Sequence, residues 1–90
     1  MKKPRKKATV KKPKNKDLPN KDLITLGKRI QSLRVKKGYT NYEYFAYEND
    51  IPRAQYGRYE KGEDLRYSSL VRVVKAMGIS MKEFFSEGFD

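Results

Sequence analysis

The chain of 90 residues contains no cysteine and no histidine. Without thiols there can be no disulfide staple and no thiolate metal site. Without imidazole most nucleophile–base pairs are lost as well. No serine has a neighbouring base, and the carboxylates are scattered through expected loops and caps rather than paired. The sequence therefore predicts no enzyme, no metal, no cofactor and no small-molecule ligand. Long apolar runs are also missing, and the basic N-terminus lacks the apolar stretch of a signal peptide. These absences predict a cytoplasmic protein with no membrane attachment.

Negative charge is scarce too. Eleven acidic residues stand against 22 basic ones, a net charge of +11. The excess is concentrated at one end. Residues 1–22 hold ten Lys or Arg against Asp17 and Asp22. Val10 and Leu18 are their only sizeable apolar side chains, and Pro4, Pro13 and Pro19 interrupt them. Such a segment cannot bury enough surface to offset the entropy of ordering, so residues 1–22 are predicted to be a disordered basic tail. Residues 23–90 are predicted to be a single folded domain, near the size at which one core only just suffices. A polyanionic partner is expected from the charge, which alone does not separate DNA, RNA and an anionic membrane.

Five short helices are legible in residues 23–90. Leu26, Ile30 and Leu33 form one stripe of a helix over about 23–37, closed by Gly38. Thr40 or Asn41 can cap a second helix over about 41–48, with Thr40 and Glu43 at capping-box spacing. A third helix runs over about 52–60. Pro52 suits its start, where a missing N–H loses no helical partner. After the loop GEDLRY, Ser68 or Ser69 opens a fourth helix with Leu70, Val73, Val74 and Met77 on one stripe. Ser80 and Glu83 open a short fifth helix bearing Phe84 and Phe85. The expected fold class is all-α, a compact five-helix domain.

The stretch NDIPRAQYGRYEKG, residues 49–62, divides into two faces. At about 100° per residue, Tyr56 and Tyr59 share one side, and Ile51 joins them from the preceding turn. Opposite lie Arg53, Ala54, Gly57, Arg58 and Lys61. Glycine costs roughly 1 kcal/mol against alanine in an exposed helix. Small residues among arginines suit a surface that must approach a partner closely. The major groove of DNA admits a helix, and arginine pairs bidentately with guanine. Solvated surface cations with an incidental Gly57 would give the same pattern.

The combination of LGKRIQSLRVKKGYTNYEYFAYENDIPRAQYGRYEKG with SSLVRVVKAMGISMKEFF resembles the phage repressor/Cro family of helix-turn-helix DNA-binding proteins. The resemblance spans roughly residues 24–85 and implies a lambda-repressor-like fold with its motif at about 41–60. It implies that Ala46 is the small residue at the contact of the two motif helices. It implies a structural pair between Arg34 and Glu60. Arg53, Ala54, Gln55 and Arg58 match base-reading positions, with Gly57 as the clearance among them. Tyr42 and Lys61 match phosphate-contacting positions, and Arg66 in the following loop is a further candidate. Three departures stand out. Asp50 occupies a turn position usually held by glycine, Pro52 replaces a usual Ser or Thr cap, and the connection from the first helix to the second is about one residue longer than usual.

The expected function is therefore sequence-specific binding of double-stranded DNA by a transcriptional regulator, with helix 52–60 in the major groove. A homodimer on DNA is implied by the resemblance. Phe84 and Phe85 are expected in the core and Phe89 as the more exposed contact. The rival expectation is an antitoxin or adaptor on the same fold, whose main partner is a protein or RNA.

Overall fold

The computed structural model describes residues 20–89. The tail expected over 1–22 lies outside these residues as far as position 19, but its last three residues belong to the fold. Asn20 caps helix α1 (Lys21–Lys36), its side-chain oxygen accepting from the amides of Asp22 and Leu23 at 2.9 and 3.2 Å. The helix thus begins two residues before Leu23, because an asparagine oxygen satisfies amides that would otherwise lack partners.

Asn41, rather than Thr40, caps α2 (Tyr42–Glu48), accepting from Glu43 and Tyr44 amides at 2.7 and 3.2 Å. Pro52 is the N-cap of α3 (Arg53–Glu60) and α3 has no side-chain cap. Helix α4 spans Tyr67–Met77, starting before the expected serines, with Arg66 at its N-cap position. Helix α5 (Met81–Phe84) is capped by Ser80 Oγ, which accepts from the Glu83 amide at 3.0 Å. Among the described residues the architecture is all-helical and compact, with no strand.

The apolar stripes meet in one core of Ile30, Phe45, Ala46, Ile51, Tyr56, Tyr59, Leu70, Val73, Val74, Met77 and Phe84. Every residue of the α4 stripe is buried, each such side chain contributing about 1.5–3 kcal/mol relative to exposure. Phe84 is fully buried, whereas Phe85 is 46% exposed. Phe89 is half-buried, with its ring 5.8 Å from Phe84 and 4.8 Å from Phe85. The expected order of these two is therefore reversed: α5 is one turn long, so adjacent phenylalanines cannot share its inner face.

Two buried arginines hold helix ends. Arg29 lies on the α1 stripe beside Ile30, and its Nε donates to the Phe84 carbonyl at 2.8 Å. Its Nη2 donates to the Glu83 carbonyl at 3.1 Å. A cation thus satisfies the last carbonyls of α5. Arg34, one turn further on, reaches α3 as described below.

Helix α3 packs against both α2 and α1. Its crossing with α1 is close because of Gly27. A Cβ on that glycine would lie 2.6 and 2.8 Å from the carbonyl oxygens of Glu60 and Tyr59. The last turn of α3 is therefore seated directly on the α1 backbone.

Candidate functional site

The turn from α2 to α3 passes through Asp50 at φ 57°, the left-handed conformation for which glycine would be the usual residue. The Ile51 amide donates back to the Ala46 carbonyl at 2.9 Å, and Arg72 of α4 donates to the carbonyl of Asp50. The backbone keeps the sharp turn without the glycine, held from both sides. Ala46 and Ile51 are both buried at the turn.

The inner side of α3 is fixed by a polar network. Arg34 donates through Nε and Nη2 to the two carboxylate oxygens of Glu60 at 2.7 and 3.0 Å, and through Nη1 to the Tyr39 carbonyl at 2.7 Å. The two residues assigned to a structural pair thus meet in a bidentate geometry. The pairing raises the guanidinium pKa further above its ordinary value, the hydrogen bond to Glu60 outweighing desolvation. Buried Tyr56 donates its hydroxyl to Glu60 Oε2 at 2.5 Å. Burial first, and that bond second, push its hydroxyl pKa far above the ordinary tyrosine range. Glu60 is therefore fully engaged inside the domain.

On the outer side, Arg53 and Ala54 are exposed at the first turn of α3, and Arg58 and Lys61 further along. Positions 53, 54, 57, 58 and 61 share one face at helical spacing. The exposed part of that face carries three cations and no acid. Arg58 Nε lies 3.6 Å from Glu63 Oε1, both side chains being largely exposed. The end of α3 causes this neighbourhood. Gly62 at φ 97° reverses the chain, and the Glu63 amide donates back to the Arg58 carbonyl at 3.1 Å. Arg58 and Arg66 flank one open depression, which Gln55, Glu63, Asp64 and Ser69 also line.

Gly57 departs from the expected arrangement. It is buried, not a clearance on the exposed face. A Cβ there would lie 2.7 Å from Tyr42 Cε1 and 3.1 Å from its Cζ and Oη. The ring of Tyr42 crosses from α2 into the place of the missing side chain, with its centroid 6.3 Å from that of Tyr56 in a stacked orientation. Gly57 therefore cannot meet a partner's bases itself.

Gln55 also differs from a free reading residue. It is half-buried, and its amide donates to the Tyr59 hydroxyl on the flank of α3. At the start of α2 the Asn41 side chain occupies the amides of Glu43 and Tyr44.

Gly27, Arg29 and Arg72 also hold this arrangement and are not among the residues the sequence predicts. Arg29 had a signal, a cation on the stripe formed by Leu26, Ile30 and Leu33. Gly27 shares a face with Ile30 and Arg34 at helical spacing, and so faces the core rather than solvent. Nothing local marks Arg72.

No helix among the described residues is long and apolar enough to cross a membrane. Comparison of the chain with protein-family models, with curated proteins and with solved structures gives no match.

Proposed function

We propose that the protein is a sequence-specific double-stranded DNA-binding transcriptional regulator of the lambda-repressor-like helix-turn-helix type. The observation that carries this reading is the outer face of α3. It presents Arg53, Ala54, Arg58 and Lys61 without an acid, while Glu60, Tyr56 and Tyr59 tie the opposite side to the domain. A helix held this firmly can be laid into the major groove without reorganising.

In this reading Arg53 and Arg58 contact base edges, and Ala54 allows close approach. Gln55 contributes only if it leaves Tyr59. Lys61, Arg66 and the hydroxyl of Tyr42 contact phosphates, which set position and not sequence. Arg58 must exchange Glu63 for DNA, a small cost for an exposed pair. Two copies on paired half-sites complete the complex. The alternative, an antitoxin or adaptor acting on a protein or RNA, is favoured by no single contact.

Selection from random duplex DNA by the purified protein tests the proposal. Enrichment of a half-site or palindrome is expected, with Arg53→Ala and Arg58→Ala each relaxing the motif at distinct positions. Tight binding without a motif, or a preference for RNA, overturns it.

A further inference from the structure

We propose that Gly57 is a positioning residue for Tyr42, and that this pair delivers the Tyr42 hydroxyl into the middle of the α3 face. The inference rests on the DNA-binding reading above and deepens it. By helical register, position 57 lies between Arg53 and Lys61 on the outward side of α3, although Gly57 itself is buried. The surface at that point is nevertheless supplied by α2, because the Tyr42 ring fills the space in which a side chain at position 57 would stand.

Three observations bear on what the ring does there. Tyr42 is stacked on Tyr56, which is itself fully buried, so one ring face is fixed by the core. A side chain at position 57 would crowd the ring, the distances from a would-be Cβ to Cε1, Cζ and Oη being 2.7, 3.1 and 3.1 Å. The hydroxyls of Tyr39, Tyr56 and Tyr59 are engaged with Glu48, Glu60 and Gln55. The Tyr42 hydroxyl has no hydrogen-bond partner among the described residues. A seated ring with an unengaged hydroxyl beside the α3 backbone at position 57 is a prepositioned donor for a phosphate oxygen, needing no rotamer search on binding.

The crowding that Gly57→Ala would create involves the far end of a half-exposed side chain and no backbone atom. The ring can swing away. Alanine also favours helix over glycine. The substitution therefore leaves the domain folded and displaces Tyr42.

The test is a cycle of wild type, Gly57→Ala, Tyr42→Ala and the double variant. Tyrosine ring resonances are recorded without DNA, and affinity is measured for a selected duplex and a random duplex. In Gly57→Ala the Tyr42 resonances are expected to move, as the ring leaves Tyr56, with the domain still folded. Affinity is expected to fall about tenfold on both duplexes alike, the loss of one charged hydrogen bond. In the Tyr42→Ala background, Gly57→Ala is expected to change affinity little. Unmoved Tyr42 resonances overturn the proposal, as does a Gly57→Ala loss that persists undiminished without Tyr42. The latter outcome would mean that a methyl at position 57 obstructs DNA directly. If the wild type binds no duplex at all, the DNA-binding reading fails and the phosphate role with it. The resonance shift, read without DNA, separates that failure from a failure of the seating.

Discussion

Asp50 is an L-residue in a conformation that costs roughly 1–2 kcal/mol for side chains with a Cβ, less for aspartate than for most. Its carbonyl is held by Arg72, and that contact does not depend on its side chain. Asp50→Gly should therefore raise stability by up to about 1 kcal/mol, and with it the urea midpoint, once the greater freedom of glycine in the unfolded chain is subtracted. A lowered midpoint would show that the Asp50 carboxylate itself supports the turn. Glu60 presents the opposite case. Its side chain is 8% exposed and that of Arg34 is 6% exposed, so removing one charge strands the other in the interior. Glu60→Gln should cost about 3 kcal/mol in equilibrium unfolding, far more than an exposed pair would. A loss below about 1 kcal/mol would mean that water reaches the pair and screens it.

Two glycines inside helices look alike in sequence and act differently at the level of elements. At Gly57 the obstacle to a side chain is a tyrosine ring that can move. At Gly27 it is the backbone of α3, with two carbonyl oxygens under 3 Å from a would-be Cβ. Gly27→Ala should therefore destabilise the domain by about 1–3 kcal/mol despite the better helix propensity of alanine, because α1 and α3 must separate. Unchanged or higher thermal stability would show that the crossing yields easily. The contrast explains what the sequence could convey. The stripe of α4 was legible because Leu70, Val73, Val74 and Met77 report their own burial through spacing within one helix. The outward positions of Arg53, Ala54, Arg58 and Lys61 followed from the same periodicity. Gly57 did not, because its burial is imposed by Tyr42 of another helix. The Arg34–Glu60 pair is 26 residues apart in sequence and came from family resemblance, since no periodicity relates positions on different elements. The first helix starts two residues earlier than expected because Asn20 caps it, whereas Asn41 is one of the two caps expected for α2.

At the scale of the whole chain, charge is divided unequally between the folded domain and what precedes it. Residues 20–89 carry thirteen basic and nine acidic residues, and two of the basic ones, Arg29 and Arg34, are buried on helix ends and on Glu60. Residues 2–16 carry nine Lys or Arg and no acid. Under the proposed function the domain reads sequence with a few arginines, and the N-terminal cations add attraction that every duplex shares. Each phosphate neutralised steepens the fall of log K with log salt by about 0.9. If half of the nine cations engage phosphates, deleting residues 2–16 should flatten that slope by about 4, again through counterion release. The selected and the random duplex should lose affinity by the same factor, leaving their ratio intact, since phosphates carry no sequence information. Fluorescence anisotropy across a salt series, with both duplexes and both chain lengths, measures slope and ratio together. An unchanged slope would remove the N-terminal cations from the interface. A changed ratio would instead place them in a groove, reading bases or groove width alongside α3.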